Sequence, residues 1–242
     1  MPPAYPHGAI EELFDDVFFI TGSVVMAGPV PLRCSRNMTI VRQGKSLVLI
    51  NSMRLSEDGL EALSKLGKVE HVIRLAGFHG MDDPFYKERF GARIWVVENQ
   101  VYAAKFDAPK TAADDGYFEP DEKMTDDTGL PIDGARLIRL DCNVGEGILQ
   151  LDREGGILIS GDSLQNWQKT DYFNWIGKVL MRMLGFIKPH NVGPGWLKYA
   201  KPDIGQIKAL LDVEFEHLLP AHGQAVIGGA RDKFRPAIER LR

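Results

Sequence analysis

Four times along this chain, an apolar run of strand length breaks off into a short glycine-containing segment that carries Asp, His or Cys. The segments are Gly77-Phe78-His79-Gly80-Met81-Asp82-Asp83, Leu140-Asp141-Cys142-Asn143-Val144-Gly145-Glu146-Gly147, Ser160-Gly161-Asp162-Ser163-Leu164 and Leu219-Pro220-Ala221-His222-Gly223. Functional side chains concentrate on loops that a rigid scaffold positions. The pattern therefore asks for a sheet-based fold whose strand ends meet at one edge.

The elements between the segments fit that demand. Val17-Phe18-Phe19-Ile20 reads as a strand. Met38–Val41 and Ser46–Ile50, separated by Gln43-Gly44-Lys45, read as a hairpin. Ser56 caps a helix that carries Leu60, Leu63 and Leu66 on one side and stops at Gly67. Val69–Leu75 is a buried strand. Asp83-Pro84 opens a helix with Asp83 as its cap, that helix ends at Gly91, and Arg93–Val97 is a strand again. Ala104–Leu130 is polar and acidic and reads as a surface loop with at most one short helix. Arg136–Leu140, Ile148–Leu151 and Gly156–Ser160 form a second group of strands. A helix over Tyr172–Leu184 would bury Phe173, Ile176, Leu180 and Leu184. Asp203 with Gln206 reads as a capping box, and a helix closes the chain. Two groups of strands followed by helices fit two packed sheets covered by helices on both sides.

Composition narrows the function. The 242 residues are enough for one large domain, which would span 1–242. Lys and Arg number 29 against 33 Asp and Glu, a formal charge of −4, so no broad basic surface points to nucleic acid or to a membrane. No apolar run reaches the ~20 residues of a membrane span. The start, Met1-Pro2-Pro3-Ala4-Tyr5-Pro6-His7, is not a signal peptide. Cys34 and Cys142 have neither zinc-knuckle nor redox spacing. A cytoplasmic protein with reduced thiols and a small-molecule substrate is the expectation.

In order and spacing the segments resemble the metallo-β-lactamase superfamily over nearly the whole chain. That family has a strand ending in Asp-x-Gly, then a T-H-x-H-x-D-H loop, then P-G-H-T, G-D and P-G-H-G loops. Here Ile50-Asn51-Ser52 stands at the first place, and Gly161-Asp162 and Pro220-Ala221-His222-Gly223 match the last two. Phe90-Gly91-Ala92 after the helix is also similar. The resemblance implies an α+β, four-layer αββα sandwich.

The first metal motif is degenerate. With His79 at the second His of H-x-H-x-D-H, Gly77 falls at the first, Met81 at the Asp and Asp82 at the last His. Cys142, or else Asp141 or Asn143, falls at the P-G-H-T histidine. The resemblance then implies a reduced, mononuclear site. Asp82, Asp162 and His222 would hold one divalent metal, zinc first and Mn or Fe as alternatives, with His79 as a further ligand or proton carrier. His79 and Asp82 are the candidate catalytic residues. The implied chemistry is hydrolysis of an ester, thioester, amide or phosphoester. The alternative is a metal-free member of the fold that binds a small molecule or serves as structure. His190 reads as surface rather than pocket lining, and His7, His71 and His217 carry no assigned role. The ring-rich segment 165–202 is expected to fold over the site, with Trp167, Phe173 or Trp196 in its wall.

Overall fold

Strand β4, Ser46–Ile50, shows how the layers arise. Its side chains alternate between two faces, as a pleated strand requires. Val48 and Ile50 enter one buried cluster, whereas Leu47 and Leu49 enter another. Both faces of its sheet must therefore be covered. The computed structural model, which describes residues 3–26, 32–102 and 119–242, shows by what.

The first sheet has seven strands in sequence order: β1 (Glu11–Phe14), β2 (Val17–Met26), β3 (Leu32–Gln43), β4, β5 (Lys68–Arg74), β6 (Arg93–Val97) and β7 (Glu122–Met124). Pairing is antiparallel from β1 to β4 and parallel from β4 to β7. The second sheet holds β8 (Ala135–Leu140), β9 (Glu146–Leu151), β10 (Ile157–Ser160) and β13 (His217–Pro220), in the order β13-β10-β9-β8. A two-stranded ribbon, β11 (Leu164–Gln165) with β12 (Asn191–Val192), lies beyond β10.

Val48, Ile50, Ile73 and Trp95 from the first sheet meet Leu149, Ile157 and Leu219 from the second in one buried cluster. On the outer face of the first sheet, Leu60 and Leu63 of α1 (Glu57–Leu66) and Phe85 and Tyr86 of α2 (Asp83–Phe90) pack on Leu47 and Leu49. On the outer face of the second sheet, α4 (Pro194–Ala200), α5 (Ile204–Ala209) and α6 (Ala230–Glu239) bring Trp196, Ile207 and Phe234 against Ile148 and Leu158. The result is the αββα sandwich that the sequence pattern implies. The remaining helix, α3 (Trp175–Met183), packs near β3.

Several local readings need correction. Most of the expected loop 104–130 lies outside the described residues, but Glu122–Met124 within it pairs with β6 as an edge strand. The helix at Asp83 begins as expected, yet the cap position is Asp82, and neither carboxylate caps it. The Asp83 carboxylate instead accepts from Ser52 Oγ at 2.6 Å and faces Arg74 at 3.9 Å. Asp203 caps α5, but Gln206 does not close a capping box. It accepts from the Asp141 N–H and donates to the Asp141 carboxylate, because β8 ends beside the helix. In α3 the buried stripe runs through Phe173, Gly177 and Met181, and Leu184 is exposed. Beyond Phe173 the buried face lies one position further along than expected, at Gly177 and Met181 instead of Ile176 and Leu180, because Gly177 lets α3 sit directly on the carbonyl of Arg33, where a Cβ would lie only 2.7 Å away.

Candidate metal centre

The parallel pairing of β10 with β13 puts Ser160 opposite Pro220. Each strand runs two residues further to a polar side chain, so the register sets Asp162 beside His222. A Cβ at Gly161 would lie 2.5 Å from the Ala76 Cβ. This close approach is open only to glycine, and it draws the loop after β5 toward Asp162. His79 sits at the end of that loop, with its N–H bonded to the Ala76 carbonyl. Asn51, at the end of β4, ties the edge together. Its side chain donates to the Ser160 carbonyl of the second sheet and accepts from the Leu75 N–H of the first.

Three side chains meet here. One potential ligand atom from each of His79, Asp162 and His222 lies within 4.8 Å of the other two. His222 Nε2 is 3.1 Å from Asp162 Oδ1, and His79 Nε2 is 3.3 Å from Asp162 Oδ2. His222 Nδ1 is 3.0 Å from the Ser35 carbonyl. A carbonyl can only accept, so Nδ1 carries the proton, and Nε2 of a neutral ring presents a lone pair to a carboxylate. Two acceptors so placed need a cation between them, either a proton or a metal. A metal-ligating His has this same arrangement, with one nitrogen fixed by a backbone carbonyl and the other directed at the ion. Burial pushes the Asp162 carboxyl upward, but with protons on both rings the charges and hydrogen bonds of His79 and His222 outweigh it. They hold the group well below the usual carboxylate range.

Strand β3 supplies the mould, and sequence reasoning did not see it. Cys34-Ser35-Arg36-Asn37 is buried along its whole length. Asn37 donates from its side chain to the carbonyls of Pro220 and Gly223 and from its backbone to that of Ala221, which fixes the His222 loop. The signal was available: four consecutive small or polar residues lead straight into Met38-Thr39-Ile40-Val41 without a turn. Glu146 was missed as well. It is fully buried at the start of β9, and its carboxylate accepts from the Ser163 N–H at 2.6 Å. Burial and the neighbouring Asp162 charge push the Glu146 carboxyl well above its ordinary value.

Asp82 is not in the group. Its carboxylate accepts from the Arg36 guanidinium and from the Arg54 N–H, and both members of the Arg36–Asp82 pair are buried. The expectation that Asp82 ligates a metal meets an ion pair already formed. Cys142 is half-buried at the rim of the outer core, where burial pushes its thiol up to about 12, and it is not among the three converging side chains. A side chain at Gly77, the place of the first motif histidine, would begin 2.4 Å from the Val101 carbonyl and 2.7 Å from that of Val144. We expect Gly77→Ala to lower unfolding free energy in urea by about 1–3 kcal/mol, the usual cost of overpacking. An unchanged midpoint would show that these two carbonyls give way.

The Trp167 ring lies 5.2 Å from that of His222, and Phe173 meets Trp167 edge-on at 5.6 Å. Trp167 lies beside the site as expected and Phe173 backs it, whereas Trp196 belongs to the outer core of the second sheet. His190 is half-buried and rests edge-on against Phe234 of α6.

No protein-family profile matches the sequence, and no curated protein matches it. Solved structures do match over nearly full length. The metallo-β-lactamase FIM-1 from Pseudomonas aeruginosa, in its mono-zinc form, is 12% identical with a TM-score of 0.60, over 99% of this chain and 97% of that one. The DIM-1 metallo-β-lactamase is 11% identical, with a TM-score of 0.62 over 98% of each chain. A metallo-β-lactamase from Pontibacter korlensis is 15% identical with a TM-score of 0.60, covering 96% of this chain and 99% of that one.

This chain has the metallo-β-lactamase fold.

Within the metallo-β-lactamase fold the His79–Asp162–His222 group sits at the sheet edge where the strand-end loops converge. Its donor set suits a divalent ion. Two imidazoles and one carboxylate are a three-ligand set of the kind that catalytic zinc sites use with one position left open, and also the facial set of non-haem Fe(II).

Proposed function

We propose that the protein is a metal-dependent hydrolase with one divalent ion, zinc first, held by His79, Asp162 and His222. The observation that carries this reading is the His222 ring. Its proton is committed to the Ser35 carbonyl, and its free nitrogen faces a carboxylate. Mononuclear occupancy has a precedent in the fold, since FIM-1 is described in a mono-zinc form.

A bound zinc would supply a water with its pKa lowered toward ~7, and so hydroxide near neutrality. The chain's own residues would do the rest. The Ser35 carbonyl holds His222 in the ligating tautomer. Asp162 carries the negative charge that draws the ion. Trp167 covers one side of His222 and narrows access, which favours a small ester, thioester, amide or phosphoester. Asp82 would act at a distance, by holding Arg36. The two cysteines are unpaired, which suits a cytoplasmic, reducing compartment.

A second reading has its own support. Asp162 lies within ion-pair range of both imidazoles without any ion, so protonated rings would balance its charge. That state would suit a metal-free binding protein. Elemental analysis of protein purified without chelator or affinity metal separates the two. We expect about one equivalent of Zn, Mn or Fe, as one three-donor site would hold. Protein that is folded yet takes up no divalent metal in equilibrium dialysis would overturn the hydrolase reading.

A further inference from the structure

Helix α3 turns its apolar residues outward as well as inward. Trp175 is 75% exposed and Met183 79%, and Val179 and Leu184 are also exposed. Trp175, Val179 and Met183 follow one another at four-residue spacing, with Lys178 and Arg182 on the same helical face. The inner stripe packs on Cys34 and Trp167, so this orientation is fixed by the core rather than chosen by solvent.

Charge tells what such a face would meet. Residues 165–202 contain six bases (Lys169, Lys178, Arg182, Lys188, Lys198 and Lys201) and one acid, Asp171, a net +5. The whole chain carries −4, which leaves −9 for the remainder. All six basic side chains are exposed. Among the described residues no helix is long and apolar enough to cross a membrane. A short helix with Trp and Met on a basic face can instead lie in the headgroup region of an anionic bilayer, where apolar burial and charge act together. A second copy of the chain is a poorer occupant. Four side chains on a helix about 14 Å long fall short of the ~800 Å² per partner of a stable interface.

We propose that α3 docks this protein peripherally on an anionic lipid surface, through Trp175, Val179 and Met183 with Lys178 and Arg182. The whole-chain charge, from which no membrane partner was expected, conceals the +5 of segment 165–202, of which Lys178 and Arg182 lie on the α3 face itself. The inference does not depend on any metal. It has a geometric corollary: Trp167 packs on the inner side of α3 and also on His222, so the candidate site lies directly behind the docked helix.

The test is flotation of the full chain with vesicles of equal phosphatidylcholine and phosphatidylserine, against phosphatidylcholine alone. Tryptophan emission provides a second readout. Trp95, Trp167 and Trp196 are buried, so a blue shift on adding vesicles reports Trp175. We expect flotation only with the anionic vesicles, weakening as salt rises. Lys178→Gln with Arg182→Gln should weaken binding about 25-fold, at roughly fivefold per basic residue near such a surface. Trp175→Ser with Met183→Ser should abolish both flotation and the blue shift while circular dichroism stays unchanged. Equal binding to neutral vesicles, no binding to either, or indifference to both double variants would overturn the proposal. So would concentration-dependent self-association that the Trp175→Ser, Met183→Ser variant removes in the absence of vesicle binding, which would make the face a contact between copies.

Discussion

Asp162→Ala should strip the protein of divalent metal while leaving it folded. Asp162 is the only carboxylate in the three-donor group, and both imidazoles are directed at it. Removing a partner that merely orients a ligand costs ~10–100-fold in affinity, so loss of the ligand itself should exceed that range. His222→Ala should do the same, and Cys142→Ala should leave metal content intact. The readouts are metal content after dialysis and a competition titration with a chromophoric chelator. The pH dependence has a fixed sign. Binding requires neutral His79 and His222 and ionised Asp162, so the ion displaces protons and affinity must fall as pH falls. Protonated His79 and His222 hold the Asp162 carboxyl below its ordinary range, so its own protonation is not what weakens binding in mild acid. Affinity flat from neutral to mildly acid pH, or a site emptied by Cys142→Ala, would show that other residues hold the ion.

The parts of this arrangement that could be read from the sequence are those encoded locally. The hairpin of Met38–Val41 with Ser46–Ile50, the Ser56 cap and the Gly67 stop each depend on residues near each other in the chain, and the structure reproduces them. His79, Asp162 and His222 were visible because each follows an apolar strand directly. Their convergence needed only the rule that such loops share an edge. What stayed hidden depends on partners distant in the chain. Arg36 and Asp82 are 46 residues apart, and nothing local in Gly80-Met81-Asp82-Asp83 shows that one acid is already claimed by a guanidinium. Glu146 was masked by its place at the start of an apolar strand. It is tolerated there only because the Ser163 N–H, from another loop, meets it. The outer face of α3 was misread for a different reason. Every position on that helix except its lysine, arginine and glycine is apolar, so periodicity could not say which side faces the core.

Asp82→Ala tests the largest of these hidden couplings. The Arg36 guanidinium is 6% exposed and Asp82 2%, so the pair is cut off from water on both sides. Deleting one member of a buried pair leaves an uncompensated charge, at a cost of ~3–5 kcal/mol. The loss should be near the upper end here, because Arg36 Nε has no hydrogen-bond partner and the Arg54 N–H would lose its acceptor too. We therefore expect urea unfolding of Asp82→Ala to shift by several kcal/mol, while the molecules that remain folded bind metal as before. A double replacement, Arg36→Met with Asp82→Leu, removes both charges together. It should regain most of the loss, since apolar residues of similar volume can substitute for a buried pair at little or no cost. The opposite result is equally specific. If Asp82→Ala unfolds at the wild-type urea concentration but no longer binds metal, then Asp82 leaves Arg36 when an ion is present, and the ligand set has four members rather than three.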